Sequence, residues 1–281
     1  MRARSLLDRL EELLPPATPV FELSDAMAFR WHVHGLNKTL RPVRSLSAIR
    51  LSDLHCIDRQ KQEIDRNTRQ FLQDLPANHV LLWGPRGTGK SSLIKALLNE
   101  YHPQGLRLIE VEKERLLDLP LIVEMLSGQD NHFIIYCDDL SFEQDDPSYK
   151  AMKVVIDGSI SNTPDNILIY ATSNRRHLMP EYMSDNQQSK MIDGELHLNE
   201  SIEEKISLSE RFGLWLAFHP FNQDDYLKIV DHWINRLGAT VNDRAAMHQA
   251  ALKWALEHGS RSGRSASQFA RDWTGRQGLK D

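Results

Sequence analysis

HVLLWGPRGTGKSSLIKALLNEY, residues 79–101, decides the fold of this chain. The opening run from His79 to Trp83 is short and apolar, as a strand buried on both faces of a parallel sheet must be. The closing run, SSLIKALLNEY, has a helical pattern. Between them, GPRGTGKS at 84–91 satisfies G-x-x-x-x-G-K-[ST], with Gly84, Gly89, Lys90 and Ser91 in the required places. A strand that turns through glycines directly into a helix points backbone N–H groups at one spot, where the helix dipole favours negative charge. Glycines are needed because the loop must visit conformations that side chains obstruct and must approach phosphates closely. Gly84, Pro85, Arg86, Gly87, Thr88, Gly89, Lys90, Ser91 and Ser92 are therefore candidate phosphate-binding residues. Lys90 would reach β- and γ-oxygens, and the Ser91 hydroxyl would ligate Mg²⁺. The bland alternative, a chance glycine-rich turn, does not account for a strand and a helix both in register.

Working outward, RLIEV, FIIYC, ILIYA and LWLAFHP are further short apolar runs, most of them separated by helical stretches. That alternation predicts an α/β fold, a P-loop NTPase with a parallel five-stranded sheet flanked by helices. Upstream, IDRQKQEIDRNTRQFL, from Ile57, reads as a helix packed along one stripe. Beyond Pro220 the strands stop. NQDDYLKIVDHWINRL, NDRAAMHQAALKWALEHG and SGRSASQFARDW read as three helices with polar N-caps, a small C-terminal helical lid. The expected organisation is an N-terminal helix and irregular extension at 1–50, a nucleotide-binding domain at 51–220 and a lid at 221–281. Within the extension, AFRWHVHG is read as irregular.

Asp138 and Asp139 end FIIYC. An acid at the tip of an apolar strand is the Walker B arrangement, whose first carboxylate supports Mg²⁺. The second could orient or deprotonate the attacking water, although Glu143 is also placed to be that base. Asp139 could equally cap the turn. Asn174, just beyond ILIYA, is a candidate for touching the γ-phosphate, because C-terminal strand ends face the ligand in such sheets. An Asx turn is its other reading.

The chain has 281 residues, 41% hydrophobic and 26% charged, with a net charge of −5, which describes a globular protein with no global case for nucleic-acid binding. No apolar run reaches the ~20 residues of a membrane span. The N-terminal MRARSLLDRLEELL has no signal-peptide pattern, so a cytoplasmic location is expected. Cys56 and Cys137 are far apart and outside any CxxC spacing, which fits small core residues better than a disulfide or zinc site.

Taken in order, GPRGTGKS, CDD, YATSN, SLSERFG and SGRSASQF resemble the AAA+ ATPases from about Asp53 to Trp273. LLWGPRGTGKSSLIKALL, CDDLSFE, YATSNRRHLMPEYM and EEKISLSERFGLWLAF look like one bacterial AAA+ family known as a domain of unknown function. The resemblance implies that Asn174 senses the γ-phosphate and that Arg211, in SERFG, is an arginine finger reaching a neighbouring subunit's ATP. A planar, permanently charged fork suits that role. Otherwise Arg211 pairs with Glu210 or Glu204. It also implies a second sensor arginine opening the last helix, Arg264 with Arg261 as the alternative. An adenine-side box at LHCIDRQK would place Ile57 and Asp58 near the base, with Cys56 standing where glycine is usual.

The expected activity is Mg²⁺-dependent ATP hydrolysis coupled to remodelling of a partner in a homo-oligomer. The alternative is a slow-turnover ATP switch or loader acting on a DNA-associated partner. A P-loop small-molecule kinase would not be expected to combine these motifs with a helical lid. The partner, protein or nucleic acid, stays open. Arg175, Arg176 and His177 form a small basic cluster, and the polar loop 177–204 is a plausible partner surface.

Overall fold

The computed structural model describes residues 26–35, 37–143, 146–157, 164–176, 178, 191–192, 195–196 and 208–279. The stretch expected to be an N-terminal helix, most of the 177–204 loop and Glu204 lie outside them. The sheet-forming strands are β1 (Ala28–His34), β2 (Asn37–Pro42), β3 (Val80–Trp83), β4 (Leu106–Glu110), β5 (His132–Cys137), β6 (Ile167–Ser173) and β9 (Leu214–Ala217). They form one sheet in the order β2-β1-β4-β5-β6-β3-β9. Every pairing is parallel except β1 with β2. A separate pair of two-residue strands, β7 (Met191–Ile192) and β8 (Glu195–Leu196), is antiparallel.

All five runs expected to be strands are strands, but the sheet has seven, not five. The added two come from the stretch expected to be irregular. In AFRWHVH, Phe29 and Trp31 are buried while Arg30 between them is exposed, a period of two over too few residues to stand out beside histidines and an arginine. Gly35 turns this strand back with φ +59°, which glycine adopts freely.

The central strands are apolar on both faces because both are covered. Val80, Leu82, Ile134 and Tyr170 pack beneath α2 (Lys90–Tyr101), the helix that follows the glycine-rich loop. Leu81, Phe133, Ile135 and Ile169 pack with Leu119, Ile122 and Met152, from α3 (Leu119–Leu126) and α4 (Pro147–Asp157), on the other face. Helix α1 (Asp58–Leu72) adds Ile64 and Phe71 to the α2 side. Cys137 is wholly enclosed, its thiol pushed up to about 12 by burial, so it is a core residue.

Three helices close the chain: α5 (Gln223–Arg236), α6 (Arg244–Glu257) and α7 (Gly263–Gly278). Each is capped as its sequence predicts: Asn222, Asp243 and Ser262 accept from the N–H groups of Asp225, Ala246 and Ser265. Such caps contribute typically about 1 kcal/mol each. Among the described residues no helix is long and apolar enough to cross a membrane.

Candidate nucleotide site

The loop from Gly84 to Gly89 leaves β3 at the C-terminal end of the sheet and delivers Lys90 to the first turn of α2. Its glycines are sterically required. A Cβ on Gly84, at φ +139°, would stand 2.2 Å from the Phe218 carbonyl oxygen. One on Gly87, at φ +78°, would stand 2.7 Å from Ser262 Cβ. The second contact joins the C-terminal helices to the loop: Gly263 N–H at the start of α7 donates to Gly87 O at 2.8 Å. Gly87→Ala is therefore expected to destabilise the fold by about 1–3 kcal/mol, from the positive φ and the displaced lid. Chemical denaturation of parent and variant measures it.

Lys90 is 6% exposed, with its ammonium donating to Gly84 O at 2.6 Å, Pro85 O at 2.8 Å and Asn174 Oδ1 at 3.3 Å. Burial lowers its pKa, opposed by Asp138 and Asp139. Ser91 Oγ donates to Asp138 Oδ1 at 2.8 Å, and Thr172 Oγ1 donates to the same oxygen at 2.5 Å. Burial pushes the Asp138 carboxyl upward, but hydroxyl hydrogen bonds led by that from Thr172 outweigh it and hold the pKa below its ordinary value. Thr172 Oγ1 also accepts from the Asp139 N–H at 2.9 Å, so one hydroxyl orients both acids. Asp139 adopts φ +52° and accepts hydrogen bonds from Asn174 and, at 3.1 Å, from Arg86.

These groups open onto one cavity of about 690 Å³ between loop, sheet end and lid. That is within the ~300–1,000 Å³ of small-molecule sites. Ile57, Arg86, Gly87, Thr88, Gly89, Lys90, Ser91 and Ser92 line it from below, Asp138, Asp139 and Asn174 from the strand tips, and Arg264 from α7. Gly84 and Pro85 lie behind it and supply the carbonyls that hold Lys90. Glu143, Asp58 and Arg261 are not in its wall, which separates Arg264 from its alternative. Arg211 is not in the wall either. It is paired with Asp157 at the end of α4. Of the basic cluster, Arg175 and Arg176 are exposed, with Arg176 over the Trp83 ring at 5.7 Å, and His177 lies outside the described residues.

The wall also holds residues that the sequence reading missed. Thr172 was within reach, since a period of two places it on the face of Asn174. Arg271 was as well: Arg264, Ser267, Gln268 and Arg271 recur at helical spacing and all face the cavity. His55 and Trp233 were not, because they come to the same cavity wall only when α5 docks on the segment before α1. There Arg236 pairs with buried Asp53 and donates to Ala48 O at 3.1 Å, and the His55 and His232 rings lie 4.3 Å apart. Cys56 holds φ +62°, a bend that glycine makes freely and that costs another residue about 1–2 kcal/mol.

The fold is an α/β sheet, parallel in all but one pairing, with a glycine-rich loop leading from β3 into α2 and three helices at the chain's C-terminal end. The chain belongs to the family described as "Protein of unknown function (DUF815)", which it matches over residues 24–277. Solved structures with the same fold include a point variant of Thermotoga maritima RuvB, at 14% identity and TM-score 0.53. Thermotoga maritima RuvB described as a Holliday junction branch migration motor matches at 12% and 0.51. Each alignment covers 79% of this chain and 63% of the RuvB chain, so the shared part is less than two thirds of RuvB. No curated protein matches.

Proposed function

We propose that this chain is a Mg²⁺-dependent ATP hydrolase of the AAA+ type that works as a homo-oligomer and couples nucleotide state to movement of its lid against a partner. One observation carries the reading: a phosphate loop, a hydroxyl–carboxylate pair, a strand-tip asparagine and a lid arginine converge on a single cavity. In the proposed division, residues 51–220 form the nucleotide-binding domain and 221–281 the lid, with the β1–β2 hairpin added at the domain's edge.

The donor set fits the expected ligands. Lys90 exchanges its bonds to Gly84 O and Pro85 O for phosphate oxygens, and loop N–H groups complete an anion cradle at the start of α2. Ser91 and Asp138 place two hard oxygens 2.8 Å apart, as ligands for Mg²⁺. Bound there, Mg²⁺ neutralises phosphate charge. Asn174 and Asp139, hydrogen-bonded to each other, position the attacking water, and Asp139 accepts its proton. Arg264, one residue beyond the Gly263–Gly87 contact, makes lid position sensitive to nucleotide. Ile57 flanks the base. RuvB, described as a Holliday junction branch migration motor, is a precedent for such a fold driving movement. The slow switch or loader remains the second reading, because Asp139 is shorter than a glutamate at the base position.

Asp139→Asn is expected to bind ATP like the parent and to lose turnover by about 10²-fold or more, the usual contribution of a positioned base. Glu143→Gln is expected to turn over normally, since Glu143 lies outside the cavity wall. Single-turnover hydrolysis beside nucleotide titration separates the two. The reverse pattern would move the base to Glu143.

A further inference from the structure

Residues 26–50 contain no aspartate or glutamate, yet carry Arg30, Lys38, Arg41, Arg44 and Arg50, in a chain of net charge −5. The structure folds most of this stretch into the β1–β2 ribbon. Its register sets Arg30 opposite Arg41, His32 opposite Thr39 and His34 opposite Asn37. Alternation puts these six on one face, while Phe29, Trp31 and Leu40 of the other face are buried. Like charges directly opposite each other destabilise a strand pair. Glu110 offsets Arg30, so Arg41 is the charge of that pair that a polyanion laid across the face would meet.

Neighbouring acids do not neutralise the whole face. Glu110 is taken by Arg30, which donates to it at 2.8 and 2.6 Å. Asp118 is taken by Lys38 at 2.6 Å and by the Trp31 indole at 2.9 Å. The segment Glu112 to Arg115 alternates in sign and adds no net charge. Arg41 and Arg44 are exposed, with no acidic partner among the described residues. Beside the ribbon, a recess of about 150 Å³ with a largely apolar lining adds one further cation, Lys95, and two hydroxyls, Ser45 and Ser47, next to the Arg30–Glu110 pair.

The ribbon also has reach. Its pairing with β4 ends at Arg30 and Glu110, and β1 continues to His34. Its tip therefore projects about 13 Å beyond the end of β4, at the same end of the sheet as the phosphate loop.

We propose that the β1–β2 ribbon, with the segment that leaves it after Pro42, is a docking surface for the sugar-phosphate backbone of double-stranded DNA, with Arg41 on the ribbon and Arg44 just beyond it as the principal cationic contacts. A two-stranded ribbon fits the ~12 Å major groove of B-form DNA while its arginines reach phosphates. A lipid surface is disfavoured because, among its described residues, the ribbon exposes no large apolar side chain to insert: Phe29, Trp31 and Leu40 are all buried. The contacts fall on backbone phosphates, so binding is independent of sequence and salt-sensitive.

The test is fluorescence anisotropy of a short labelled duplex of arbitrary sequence with the full chain, in the absence of nucleotide. Binding at low salt is expected, with a log-log salt slope of about −2 to −3 for some three phosphates neutralised. R41E/R44E is expected to weaken it at least tenfold and to flatten the slope by about two. The variant should fold, since both positions are exposed and a carboxylate at position 41 would face Arg30; thermal unfolding checks this. Lys90→Ala is expected to bind the duplex like the parent, so failure of the ATPase reading would leave this result standing. Absence of duplex binding by the parent, equal binding by folded R41E/R44E, or equally tight capture by phosphatidylserine vesicles would each overturn the proposal.

Discussion

Lys90→Ala is expected to abolish nucleotide binding at ordinary ATP concentrations, because one side chain carries much of the cavity's charge recognition. The ammonium is buried and held by the loop's own carbonyls at 2.6 and 2.8 Å, so it is already aimed where phosphates would replace them. Each hydrogen bond to a charged partner contributes about 1.5–3 kcal/mol, and Lys90 would make at least two. The expected loss is therefore on the order of 10²-fold or more in affinity. Arg86 and Arg264 also line the cavity, but both are exposed and neither shares the Lys90 enclosure. Titration with a fluorescent ATP analogue, on protein whose fold is checked by circular dichroism, decides the matter. Parent-like affinity in that folded variant would remove the nucleotide reading.

Arg211→Ala is expected to leave ATP affinity nearly unchanged and to reduce turnover by about 10³-fold or more, the range an arginine finger contributes. Arg211 lies outside the wall of its own cavity and is held by Asp157 at the end of α4, so it would act on a neighbouring subunit's ATP. If the Asp157 pair were its whole purpose, its removal would cost no more than about 1 kcal/mol of stability. Hydrolysis by the parent should then rise more steeply than linearly with protein concentration. Mixing Arg211→Ala with Lys90→Ala should restore activity, because the second variant still offers its arginine to an intact neighbouring site. Concentration-independent activity from a strict monomer, or no rescue in mixtures shown to co-assemble, would leave Arg211 a structural residue.

Sequence was readable where chemistry and local pattern coincide. The glycine-rich loop was legible because no ordinary turn needs glycine at 84 and 89 followed by Lys-Ser between a strand and a helix. Asp138 and Asn174 were legible because an acid or an amide that ends an apolar run has to leave the core there. The three lid caps were legible because an orphan N–H at a helix start calls for Asn, Asp or Ser within a few residues.

The β1–β2 ribbon was missed for a physical reason. Phe29 and Trp31 are buried around exposed Arg30 only because β4 and the 113–118 segment lie against them, and a period of two over so few residues is indistinguishable from irregular chain until that neighbour is known. The role of Thr172 is of the same kind: its hydroxyl reaches Asp138 only because β5 and β6 pair in one register, Cys137 beside Ala171. Local sequence determined the five central strands, the C-terminal helices and the charged groups of the site, because propensity, capping and loop sterics act over a few residues. Tertiary structure alone decided that Arg264 rather than Arg261 faces the cavity, that Arg211 lies away from it, and that His55 meets His232, because those outcomes depend on how the lid and strands dock across long stretches of chain.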